Sequence, residues 1–112
     1  MRIDHVQVAA PPRCEAEARR FYGVVLGLEE IAKPEQLQAR GGVWFRLAGG
    51  QELHVGVDEA FAPARKAHPA FTVDDLDALA ARLGDVTWDD TLPAVRRFYA
   101  SDPFGNRLEF LA

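Results

Sequence analysis

Cysteine, histidine and positive charge are all scarce in this chain, and each scarcity excludes something. A single cysteine, Cys14, among 112 residues leaves no partner for an intrachain disulfide and favours a reducing compartment, the cytoplasm. It reads as a small residue near a helix start rather than a redox centre. Lys and Arg number 13 against 17 Asp and Glu, a formal net charge of −4. The short runs Arg19-Arg20 and Arg96-Arg97 do not make the basic stripe that nucleic-acid binding needs, and Arg19-Arg20 reads as a solvated helix face. No apolar stretch is long enough to span a bilayer, and the N-terminus lacks the basic region and apolar run of a signal peptide. What is present suits one folded domain: 48% hydrophobic residues can build a core, and 27% charged residues can keep it in solution.

Hydrophobic periodicity then sets the elements. Residues 2–9 alternate, with Ile3, Val6 and Val8 apolar and His5 and Gln7 on the opposite face, so they predict a half-buried strand. Pro11-Pro12 ends it. Ala18, Phe21, Tyr22, Val25 and Leu26 recur at helical spacing and predict a helix over 15–26, stopped by Gly27. A short strand over 28–32 and a loop over 33–42 follow. Strands over 43–47 and 51–57 flank a tight turn at Ala48-Gly49-Gly50. Residues 58–67 read as a linker. The order then repeats: a strand over 68–73, and a helix capped by Asp74 whose buried face is Leu76, Leu79, Ala80 and Leu83, with Gly84 as its stop. Strands over 86–88, 94–101 and 107–111 follow, with a turn at Asp102-Pro103-Phe104-Gly105. The expectation is an α+β domain of two βαβββ modules, about 1–57 and 68–112, forming a curved mixed sheet around a cavity.

The three histidines fall at comparable points of this repeat. His5 and His68 lie near the start of each half. His54 stands four residues after Gly50, and Glu109 four residues after Gly105. Each alternates with apolar neighbours, so all four share the face away from the helices. Imidazoles and a carboxylate gathered on strands suit a mononuclear metal site. A lone histidine on a strand is usually structural; the trio His5, His68 and Glu109 together favours metal.

Three segments carry a resemblance to a known family: Asp4-His5-Val6; Ala18-Arg19-Arg20-Phe21-Tyr22 running to Leu26-Gly27-Leu28; and Phe98-Tyr99 with Asp102-Pro103-Phe104-Gly105-Asn106-Arg107-Leu108-Glu109. With these the chain resembles the vicinal oxygen chelate superfamily, which includes glyoxalase I, fosfomycin-resistance thiol transferases, extradiol dioxygenases and bleomycin-binding proteins. The resemblance implies a divalent ion (Mn, Fe, Ni, Co or Zn) on His5, His68 and Glu109. It implies a fourth-strand ligand too, with His54 placed ahead of Glu52, or His54 as a hydrogen-bond donor behind the ligands. It also implies a small-molecule substrate and a homodimer.

Departures from the pattern matter as well. No histidine follows His68, where extradiol ring cleavage wants one; Thr91, Leu92 and Pro93 occupy that neighbourhood. Neither a glutathione-contacting insert nor a potassium loop is evident. The expected activity is therefore a glyoxalase-like, metal-dependent lyase, isomerase or thiol addition on an oxygen-rich substrate, with an Fe(II) dioxygenase the lesser reading. The alternative is a metal-free binder of the bleomycin-resistance type. Glu52 and Tyr99 are candidate catalytic residues, and Trp44, Arg46 and Arg97 candidate substrate contacts. Each of these also has a plain reading as a surface or packing residue. Phe98, Trp88 and Phe104 read as packing.

Overall fold

A computed structural model describes all 112 residues. The chain divides into two compact units, Met1–Pro63 and Ala64–Ala112, and the eight strands hydrogen-bond as two four-stranded sheets.

In the first unit, β1 (His5–Ala10), β2 (Glu29–Ile31), β3 (Val43–Arg46) and β4 (Glu52–Val57) lie in the order β1-β4-β3-β2. β1 runs parallel to β4, and the other pairs are antiparallel. One face carries Val8, Ala10, Val43, Phe45, Leu53 and Val55, all buried. Tyr22, fully buried on the helical segment, lies 5.8 Å from the Phe45 ring. Burying side chains of this size contributes roughly 1.5–3 kcal/mol each.

The second unit repeats the plan. β5 (Ala70–Thr72), β6 (Thr87–Asp89), β7 (Arg97–Ser101) and β8 (Arg107–Leu111) take the order β5-β8-β7-β6, with β5 parallel to β8. Phe71, Phe110, Phe98 and Trp88 form a continuous row of ring contacts at 5.2–5.5 Å across the four strands.

Four local readings need correction. The helix expected over 15–26 is α1 (Glu15–Ala18) followed by a π-helix, Arg19–Val25. Leu26 N donates to Phe21 O at 2.9 Å and Leu28 N to Tyr22 O at 3.0 Å; these wide turns bury Ala18 and Tyr22 but leave Val24 exposed. Apolar spacing alone does not reveal an added residue per turn. The loop over 33–42 contains a short helix, α2 (Glu35–Gln38), started by Pro34. The cap of α3 (Leu76–Leu83) is Asp75, not Asp74: its side chain accepts from Ala78 N at 2.9 Å. Finally, β5 and the strand expected over 94–101, which begins at Arg97, are shorter than expected, and His68 precedes β5.

The turn between β7 and β8 explains the Asp-Pro-Phe-Gly-Asn run physically. Buried Asp102 accepts from Phe104 N and Asn106 N through Oδ1, and from Asn106 Nδ2 through Oδ2, each at 2.9 Å. Buried Asn106 in turn accepts from Ala64 N at 3.0 Å, while Arg107 N donates to Ala64 O at 2.8 Å. The segment leading to His68 is thereby fastened to the start of β8.

Candidate functional site

Each unit places polar residues on the sheet face opposite its core, because side chains alternate along a strand. In the first unit the ladder sets His5 beside Glu52, Trp44 beside His54, and Arg46 beside Glu52. His54 is buried and lies between two rings: His5 at 4.2 Å and 15°, and Trp44 at 3.6 Å and 3°. Its Nε2 donates to Glu52 Oε2 at 2.7 Å. That bond fixes the proton on Nε2, because a carboxylate oxygen only accepts. His54 therefore acts as a support for Glu52, whose side chain is 28% exposed against 5% for His54.

His5 is held from behind. Its Nδ1 lies 2.9 Å from Asp4 Oδ2, and the hydrogen bond from His5 keeps the Asp4 carboxyl below its ordinary value. The carboxylate partner on Nδ1 leaves the lone pair on Nε2. Trp44 is occupied by the stack, and Arg46 is an exposed side chain 3.6 Å from Glu29, a weak solvent pair.

In the second unit, Tyr99 and Ala70 flank Glu109 in the ladder. His68 Nδ1 lies 2.7 Å from Lys66 O and its Nε2 lies 2.9 Å from Glu109 Oε2. Arg97 Nη1 donates to Glu109 Oε1 at 3.1 Å and Nη2 reaches Asp89 at 3.4 Å. Burial works against the Arg97 charge, but the hydrogen bond to Glu109 and the Asp89 carboxylate outweigh it and raise its pKa. Asp89 is held low, chiefly by hydrogen bonds from Thr91. Tyr99 meets His68 edge-on at 5.5 Å.

The two ladders match position for position. His54 faces Trp44 and Gln7, as Glu109 faces Tyr99 and Ala70; His5 and His68 each come two residues before the partner on the parallel strand. Within neither unit do three His, Cys, Asp or Glu side chains gather as a metal cluster: the donors come in pairs. Sequence reasoning missed Asp4, the Lys66 carbonyl and Arg107. Arg107 was detectable, since it lies two residues before Glu109 and so on the same face of β8. The first unit also has an open cavity of about 270 Å³ lined by Glu15, Glu30, Lys33 and Gln38 among others. It shares only Trp44 with these candidates.

No curated protein sequence matches the chain. Solved structures do. A glyoxalase family protein from Bacillus anthracis is 55% identical, with a TM-score of 0.94 over 99% of this chain and 93% of that one. A lactoylglutathione lyase from Agrobacterium tumefaciens is 24% identical, with a TM-score of 0.74 over 98% and 92%. A glyoxalase/dioxygenase from Nostoc punctiforme is 20% identical, with a TM-score of 0.79 over 98% and 89%. The last two show the fold alone. Residues 2–110 match the family model, so paired βαβββ modules, ladder equivalence and sequence agree: the chain belongs to the Glyoxalase/Bleomycin resistance protein/Dioxygenase superfamily.

Proposed function

We propose that this chain is a glyoxalase-like enzyme that depends on a divalent metal and acts on a small oxygen-rich substrate, by isomerase, lyase or thiol-addition chemistry. The observation that carries the reading is at His68. A backbone carbonyl only accepts, so the 2.7 Å contact with Lys66 O puts a proton on Nδ1. In the neutral ring, Nε2 then bears a lone pair, and it points at a carboxylate oxygen 2.9 Å away. Two electron-rich atoms turned toward one another suit a shared positive charge, which a proton on Nε2 or a bound metal ion supplies.

The donor types, imidazole and carboxylate, suit such an ion. His68 and Glu109 would hold it in the second unit, and His5, whose Nδ1 is also committed to an acceptor, is the matching donor of the first. Arg97 occupies Glu109 Oε1 and leaves Oε2 to act as a single-oxygen ligand. We place Glu52 ahead of His54 as the fourth-strand group, because His54 spends its Nε2 proton on Glu52 and is shut between two rings. Mixed nitrogen and oxygen donors admit Mn²⁺, Fe²⁺, Ni²⁺, Co²⁺ or Zn²⁺. When bound, such an ion supplies Lewis-acid stabilisation of negative charge on substrate oxygens. Glu52, oriented by His54, accepts or returns a substrate proton. Tyr99 offers its hydroxyl as a donor on the same face as Glu109. A homodimer in the cytoplasm accompanies this reading; the buried free thiol of Cys14 suits a reducing compartment.

The second reading, a metal-free small-molecule binder, draws on the Arg97–Glu109 ion pair, which already neutralises the key carboxylate. Metal content by mass spectrometry separates the two, on tag-free wild type and Glu109→Ala after reconstitution with each of the five ions. About one equivalent in wild type and none in the variant is the expected result. No metal in either overturns the enzyme reading in favour of the binder.

A further inference from the structure

We infer that Arg107 is an anion-recognition residue, and that the ligand of this face carries a carboxylate beside its other oxygens. The inference rests on the proposed function only for where the ligand sits. Arginines 19, 46, 96 and 97 each have a carboxylate within 4.0 Å. Of the arginines that have none, all are exposed except Arg107, which is half-buried. With no carboxylate in contact, and only the charge of Asp89 at longer range, this partly desolvated guanidinium keeps N–H groups that a ligand can complete.

Its placement supports recognition. Arg107 is on β8 two residues before Glu109, on the face that also carries Tyr99. The guanidinium carbon lies 4.0 Å from the centre of the Tyr99 ring. Stacking on an aromatic face fixes the plane of an arginine and leaves its N–H edge available for a paired grip on an oxyanion. Arg97 lies farther from the same ring, at 5.6 Å, and commits both Nη groups, to Glu109 and Asp89, while its buried Nε has no partner. One guanidinium free of any carboxylate contact, beside Glu109 and Asp89, matches a singly charged group, so a carboxylate fits better than a phosphate.

The test compares lactate, propane-1,2-diol and inorganic phosphate as probes. Binding is followed by amide chemical shifts, with chelator and with added Zn²⁺, for wild type, Arg107→Lys and Arg107→Met. Lactate should bind wild type about tenfold or more tighter than the diol, as expected for charge-assisted hydrogen bonds. Arg107→Met should abolish that preference, and Arg107→Lys should restore part of it. Equal affinity for lactate and diol in wild type, or an unchanged preference in Arg107→Met, overturns the inference. So does a wild type that binds phosphate but not lactate, or neither. If Arg107→Met does not fold, Arg107→Gln replaces it and is judged in the same way. Metal content measured on the same samples separates the two claims: a lactate preference lost with Arg107 in metal-free protein upholds the inference where the metal reading fails.

Discussion

His68 Nε2 and Glu109 Oε2 stand 2.9 Å apart, while His68 Nδ1 is fixed 2.7 Å from the Lys66 carbonyl. The tautomer therefore follows from the backbone rather than from the ligand. Nitrogen-15 NMR of His68 should show an Nδ1 proton with and without Zn²⁺, and only the Nε2 resonance should change on adding the ion. A zinc-loaded protein with the proton on Nε2 and a bare Nδ1 would contradict this.

Arg97 and Glu109 should prove unequal partners in stability. Glu109 is 7% exposed, so Arg97→Met strands a buried carboxylate and should be the most destabilising of the changes at this pair. Glu109→Gln should cost less, because Arg97 keeps Asp89 at 3.4 Å. The double variant should be more stable than Arg97→Met alone. Urea unfolding at neutral pH measures all three; a double variant no more stable than Arg97→Met would show that the stranded charge is not the cause.

Much of this was legible in the residues. Alternation in Asp4-His5-Val6 and in Leu108-Glu109-Phe110 assigns faces, because a strand has a period of two. The match of Gly50–His54 with Gly105–Glu109 anticipates the ladder equivalence of His54 and Glu109. What escaped depends on contacts made across the chain. Nothing in Gln51-Glu52-Leu53-His54 shows that Trp44 and His5 will enclose His54 and turn it into a support for Glu52. Nor does local sequence show that Lys66 O will choose the His68 tautomer, or that Asn106 will fasten Ala64. The π-helix over Arg19–Val25 hides for another reason: its apolar spacing also satisfies an α-helix, and nothing local separates i→i−5 from i→i−4 hydrogen bonding.

Two glycines of similar conformation should respond differently to alanine. Gly42 has φ +87°, and a Cβ there would lie 2.1 Å from Val55 O, backbone of the central strand β4. Gly50 has φ +89°, and a Cβ there meets nothing within 4 Å. Gly50→Ala should cost only the left-handed conformation, about 1–2 kcal/mol. Gly42→Ala adds a clash that β4 cannot relieve without losing its pairing, so it should exceed about 3 kcal/mol. Thermal and urea unfolding compare them directly, and equal losses would mean that the β3–β4 ladder yields more easily than its geometry indicates.

Cys14 should make stability fall at alkaline pH. Burial first, and then the hydrogen bond to Glu15, raise its thiol from 9.0 to about 11. The folded state therefore holds its proton more tightly than the unfolded state does. The sign follows from linkage: the stabilisation is complete below about pH 9, and is lost as pH rises toward about 11. Cys14→Ala should remove this part of the pH dependence, and the difference between the two unfolding curves should grow across that window. The same burial predicts that thiol reagents modify the native protein only as fast as it opens, since the thiolate is the reactive form. Rapid labelling of folded protein near neutral pH, at a rate independent of denaturant, would show instead that Cys14 is reached without unfolding.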